Sequence, residues 1–221
     1  MIMEKKSLRI AYGEALIEAG RTNPDIVVLE ADLGKSTMSY LFKEAYPERY
    51  FEMGIAEQNM ASTAAGLALA GKIPFYSTFA VFALGRAYDQ IRCSIAIPEA
   101  NVRICGSSCG LSDFGDGKTH QSIEDANVIS TIPNMTVLHP CDAVETRKMV
   151  KAMVKHQGPG HRKKQTDHGQ YEALFCGEVF CLDTGAAAFP GAFAPHEKPD
   201  KLHGHIIQPV KGHLTPVADA P

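Results

Sequence analysis

The chain has 221 residues, 45% hydrophobic and 21% charged, a make-up that suits a folded protein with a sizeable core and excludes a disordered or fibrous one. Its formal charge of −3 gives no ground to expect nucleic acid or an anionic membrane as partner, and no apolar run approaches the ~20 residues a membrane span needs. Met1-Ile2-Met3-Glu4-Lys5-Lys6 is not followed by a signal-type apolar core, so a cytoplasmic location is expected.

Leu8 to Ala19 reads as a helix, because Leu8, Ala11, Tyr12, Ala15, Leu16 and Ala19 recur at helical spacing before the stop at Gly20. Ile26-Val27-Val28-Leu29-Glu30 is the continuous apolar run of a strand covered on both faces. A short helix follows over Ser39 to Tyr46, stopped near Pro47, and then a short strand at Tyr50-Phe51-Glu52. Glu57 to Ala70 is a helix rich in small residues, ended by Gly71. Ile73 to Ser77 is a strand, Val81 to Ile97 one helix, and Val102 to Gly106 a strand. A glycine-rich loop runs from Ser107 to Thr119, and a short helix is expected after His120. Met135 to His139 and Ala143 to His156 are the last clear strand and helix.

Strands alternating with helices imply an α/β fold, a mostly parallel sheet with helices on both faces, whose working residues gather at the carboxyl ends of strands. This domain is expected to span residues 5–158. Residues 159–221 read as an irregular tail, with Cys176 to Leu182 the one plausible short strand. The tail histidines His161, His168, His196, His203, His205 and His213 form no ligand set of recurring geometry, so no metal site is expected. Cys93, Cys105, Cys109, Cys141, Cys176 and Cys181 contain no CxxC pair, and reduced, mostly buried thiols are expected.

Glu57 is a carboxylate set among small and apolar residues at the start of a helix. An acid in such a place is costly to ionise unless something pairs with it, and enzymes use that cost to hold a carboxyl ready for proton exchange with a bound heterocycle. Taken alone, Glu57 is better explained as a first-turn acid facing the helix dipole.

Three stretches change that balance. Glu52-Met53-Gly54-Ile55-Ala56-Glu57-Gln58-Asn59-Met60, Ser77-Thr78-Phe79-Ala80-Val81-Phe82 and Gly115-Asp116-Gly117-Lys118-Thr119-His120-Gln121 occur in the order and at the spacing seen in transketolases. From about Leu8 to Gly158 the chain resembles the pyrimidine-binding domain in the C-terminal section of a split transketolase, a thiamine diphosphate-binding fold. The resemblance implies thiamine diphosphate as cofactor. Glu57 would hydrogen-bond a nitrogen of its aminopyrimidine, so that the exocyclic nitrogen can take the thiazolium proton. Phe82 would stack on that ring with Phe79 as the supporting wall, and Asp32 would lie near the cofactor at a subunit contact. His120, with Glu57 the expected catalytic pair, and Asp116 would meet sugar hydroxyls and the developing alkoxide. Arg9 and Ser36 would grip the sugar phosphate, and Arg86 would join the substrate contacts. Each also has a plainer account: core packing for the two phenylalanines, a solvated helix charge for Arg9, a helix cap for Ser36, a turn former for Asp32.

Gly115-Asp116-Gly117 imitates the opening of a magnesium-diphosphate motif, but no well-spaced asparagine pair follows. The resemblance therefore implies that magnesium is held mainly by a partner chain, an N-terminal, diphosphate-binding transketolase subunit, in a hetero-oligomer. Ser108 stands where many relatives carry a substrate-binding histidine, and Asp113-Phe114 replaces a glycine-containing run. Gly158-Pro159 should lead into another strand, yet Gly160-His161-Arg162-Lys163-Lys164 opens an unmatched tail, so a missing strand and an exposed sheet edge are expected. The implied activity is transfer of two-carbon ketol units between sugar phosphates. Its rivals are a deoxyxylulose-phosphate synthase, which Arg86-Ala87-Tyr88-Asp89-Gln90 also resembles, a 2-oxo acid dehydrogenase beta subunit, and a catalytically silent remnant that only docks to a partner.

Overall fold

The computed structural model describes residues 6–156 and the strand 173–177. Six strands among the described residues form one sheet: β1 (Ile26–Glu30), β2 (Tyr50–Glu52), β3 (Ile73–Phe79), β4 (Arg103–Ser107), β5 (Met135–Leu138) and β6 (Ala173–Gly177). Their spatial order is β2-β1-β3-β4-β6-β5, and every neighbouring pair is parallel. Among the described residues, eight α-helical segments accompany them: α1 (Leu8–Thr22), α2 (Gly34–Thr37), α3 (Tyr40–Ala45), α4 (Glu57–Leu69), α5 (Ala80–Gly85), α6 (Tyr88–Gln90), α7 (Asp125–Ser130) and α8 (Ala143–Lys155).

Alternation along the strands divides the core into two layers. Ile26, Val28, Phe75 and Cys105 face α1, α3 and α8, where Leu16, Phe42, Val150 and Met153 are buried. Val27, Leu29, Tyr76 and Ile104 face the other way, onto Met60, Ala61, Ala64, Leu84 and Ile91. The small residues of α4 let it lie close on the strands, as Ala61 and Ala64 are fully buried. On the opposite face α1 approaches the α2–α3 turn so closely that a Cβ at Gly13 would stand 2.5 Å from the Met38 carbonyl oxygen. Helix α8 begins where the Asp142 side chain accepts from the Glu145 N–H at 2.7 Å, and the Glu145 carboxylate accepts from the Cys141 N–H at 2.7 Å.

The helix expected over Val81–Ile97 is three pieces. Helix α5 stops at Gly85, Arg86 and Ala87 break the ladder, and α6 runs on into a π-helical turn over Ile91–Ala96. The apolar recurrence is continuous, but the break turns Arg86 out of the helix and toward α4.

The expected loss of a strand after Gly158 is overturned. Strand β6 lies between β4 and β5 and pairs with both, so the sheet has no open edge at that point. It begins before the Cys176–Leu182 segment anticipated from the sequence and extends the sheet beyond the expected boundary at residue 158. Residues 178–182 of that segment and the six tail histidines lie outside the described residues. Of the described cysteines, Cys105 and Cys109 are buried, Cys93 and Cys141 are exposed, and none is bridged, so burial of the thiols is less general than expected. No helix among the described residues is long and apolar enough to cross a membrane, and no cluster of metal-ligating side chains occurs among them.

Arg103 went unnoticed in the sequence. It is wholly buried at the start of β4, its Nε donates to the Met153 carbonyl at 2.6 Å, and its Nη2 donates to the His156 carbonyl. It therefore satisfies carbonyls at the end of α8 that have no helical partner. Burial lowers its pKa to about 10.

Candidate active site

The segments that follow β1, β2, β3 and β4 converge at the carboxyl ends of those strands. After β1 the backbone turns through Asp32 at a positive φ of 59°, held by its N–H donating to Glu52 Oε1 at 2.8 Å. After β2 it turns at Gly54, also at positive φ, and α4 opens with Glu57 as its first residue. Strand β3 ends at Phe79, so the first turn of α5 carries Phe82. The long loop after β4 is pinched at its base by the bridge between Gly110 and Ser122, and its 3₁₀ turn at Gly117–Thr119 delivers His120.

These turns enclose an open cavity of about 270 Å³ lined by Glu57, Phe82, Arg86 and His120, with Asp32 and Ile55. Glu57 is 3% exposed, and its Oε1 accepts a hydrogen bond from Arg86 Nη1 at 2.8 Å. The Arg86 guanidinium lies over the Phe82 ring, 4.2 Å from its centre. Phe79 stands behind Phe82 at 6.2 Å, nearly parallel at 13°, and is itself buried. The His120 ring meets Phe82 edge-on at 5.1 Å, and its Nδ1 is 3.0 Å from Thr119 Oγ1. The cleft thus brings together a buried acid, a flat apolar face and an imidazole. Beneath it, the Tyr76 hydroxyl is pushed well above its usual pKa by burial and by the charges of Glu57 and Glu30, so it stays protonated.

Of the expected site residues, Glu57, Phe82, Asp32, Arg86 and His120 line one cavity, and Phe79 backs its wall. Arg9 and Ser36 are neighbours, joined by Arg9 Nη1 donating to the Ser36 carbonyl at 2.8 Å. Ser36 lines an adjoining groove of about 500 Å³ with Lys35, Tyr40 and Lys43, and Asp32 and Leu33 line both spaces. Asp116 is exposed on the far loop and lines neither.

Glu30 was not singled out in the sequence, yet it organises this end of the sheet. It is fully buried, and its carboxylate accepts from Thr37 Oγ1 at 2.8 Å, from Ser39 Oγ, and from the Ala31 N–H at 3.1 Å. Burial raises its pKa from 4.5 to about 7; those three donors oppose the rise, and the charge of Glu52 adds to it. Glu30 ties the turn carrying Asp32 and Ser36 to β1. A carboxylate ending an apolar strand, followed by Thr37 and Ser39, was the available signal.

Comparison with known proteins agrees with this geometry. The profile of the family described as transketolase, pyrimidine binding domain, matches residues 4–161. Human transketolase is 42% identical over 156 residues, which cover 70% of this chain and 25% of that protein. A 6-deoxy-6-sulfo-D-fructose transketolase subunit of Clostridium sp. is 38% identical over 157 residues, 71% of this chain and 49% of that subunit. Among solved structures, a split gene transketolase described as an inactive beta4 tetramer superposes with a TM-score of 0.64 at 46% identity, covering 78% of this chain and 51% of that one. The chain therefore spans about half the length of the split relatives and a quarter of the undivided one. With a buried acid, a phenylalanine wall and an imidazole meeting at the carboxyl ends of a parallel sheet, and with this profile over most of its length, the chain belongs to the transketolase family as a pyrimidine-binding domain.

Proposed function

We propose that this chain is the pyrimidine-binding section of a split transketolase. Together with a partner chain that holds the diphosphate and magnesium, it transfers two-carbon ketol units between sugar phosphates. The observation that carries this reading is Glu57, 3% exposed, beside the Phe82 face in the same cavity as His120. Those residues fit an aminopyrimidine: a buried carboxyl oxygen for a ring nitrogen, and a phenyl face for the ring.

When bound, thiamine diphosphate supplies a carbon nucleophile that accepts the two-carbon unit. Glu57 would hydrogen-bond a ring nitrogen, and its burial would make that hydrogen bond stronger than it is in water. Phe82 fixes the plane of the ring, and Phe79 fixes Phe82. His120 stands edge-on to the same wall, placed to exchange a proton with a sugar hydroxyl. Ser36, which lines the adjoining groove, and Arg9, which donates to the Ser36 carbonyl, take the sugar phosphate, with Asp32 lining both spaces. The magnesium ion falls to the partner.

The test is co-production with a diphosphate-binding partner chain, followed by a thiamine diphosphate-dependent assay with a ketose phosphate donor and an aldose phosphate acceptor. Glu57→Ala should lower turnover by about 10²–10⁴-fold while the two chains still assemble. Near-normal turnover in that variant would exclude the role given to Glu57.

A further inference from the structure

Arg86 sits where the reading above needs a ring to sit. Its guanidinium stacks on Phe82, and one of its nitrogens donates to Glu57. A guanidinium is planar, delocalised and rich in N–H donors. An aminopyrimidine offers the same combination to a phenyl face and a carboxyl group. One side chain therefore occupies both recognition elements of the cleft at once.

The backbone allows this. Helix α5 ends at Gly85 and α6 resumes at Tyr88, so Arg86 leaves from a break in the ladder, where its side chain reaches across to α4. Glu57 also gains from such an occupant, because a buried carboxylate with nothing against it is costly. The Arg86 side chain is 48% exposed, so rotation about its own bonds carries it outward without unpacking the core.

We propose that Arg86 is a built-in occupant of the ring site, a gate that pairs with Glu57 and Phe82 until a planar heterocycle displaces it. This inference rests on the ring-site reading of the cleft given above. It means that the ring competes with the chain's own side chain, and its apparent affinity falls by the fraction of molecules in which the site is open. A stacked cation and a half-exposed ion pair are each modest interactions, so the expected handicap is about tenfold.

Unphosphorylated thiamine is the probe, since it presents the ring without the diphosphate. It is titrated by NMR into the full chain as wild type, Arg86→Ala and Phe82→Ala. Arg86→Ala should bind thiamine about tenfold more tightly than wild type. In the wild type, saturation should shift the Arg86 Nε–H resonance and speed its exchange with water, a change that a merely structural arginine would not show. Equal or weaker binding by Arg86→Ala, with wild-type binding still lost in Phe82→Ala, overturns the gate and leaves the ring-site reading intact. Thiamine binding indifferent to Phe82→Ala overturns the ring-site reading, and the gate with it. Absence of binding to both wild type and Arg86→Ala overturns the gate as well. Should Arg86→Ala fold poorly, Arg86→Gln keeps a donor for Glu57 but loses the charge and the full stack. It should bind with intermediate affinity, and wild-type affinity there counts against the gate.

Discussion

Replacing Glu30 by glutamine should remove a pH dependence from the stability of this domain. A carboxyl whose pKa rises on folding from 4.5 to about 7 holds its proton more tightly in the folded chain. Below 4.5 the folded and unfolded states are both protonated, and the folded state has its full advantage. As pH climbs through 7, Glu30 must ionise inside the protein and the advantage disappears. At about 1.4 kcal/mol per pH unit between the two values, the whole loss is roughly 3 kcal/mol, most of it between about pH 5 and about pH 8. Glutamine keeps the shape and one acceptor oxygen for Thr37, Ser39 or the Ala31 N–H, but it cannot ionise. Urea unfolding of wild type and Glu30→Gln across that range should give a difference in stability that changes by roughly 2–3 kcal/mol. Contributions from other titrating groups cancel in the difference. Parallel stability curves would refute the assignment of a displaced proton equilibrium to Glu30.

The two phenylalanines should separate stability from binding. Phe79→Ala, at a side chain 3% exposed, should cost about 3–5 kcal/mol in urea unfolding, whereas Phe82→Ala should cost under about 2 kcal/mol and abolish thiamine binding measured by NMR. Arg103→Met should lower unfolding free energy by about 2–4 kcal/mol, because carbonyls at the end of α8 lose their donor, with thiamine affinity unchanged.

What the sequence revealed, and what it hid, follows from how far each feature depends on distant parts of the chain. The runs at Ile26–Leu29 and Leu8–Ala19 read correctly because burial on a sheet or along one helix face imposes a pattern on neighbouring residues. The grouping of Glu57, Phe79, Phe82 and His120 was readable from three motifs in order, and the cavity contains or adjoins all four. The break at Arg86 was not readable, since a single glycine within an apolar recurrence is a weak helix stop. Glu30 and Arg103 were hidden for a related reason. Each is a charged residue at a strand end, a place that is ordinarily exposed, and each is buried because another element folds over it. Asp116 shows the converse: it belongs to the right motif but lies outside the cleft, on a loop whose path no local pattern specifies.

Among the described strands, β5 pairs with the sheet only through β6, at the end of the strand order. While the polypeptide is still emerging from the ribosome, Met135–Leu138 has no strand beside it until residues 173–177 have appeared. The strands whose turns line the cleft, β1 to β4, are all synthesised before that moment and can pair in the order they are made. The final event is then an insertion between two strands already in existence, a long-range closure of the kind that sets the pace of folding. Maturation of the nascent domain should accordingly proceed from the cleft outward, with its far side the last to lock.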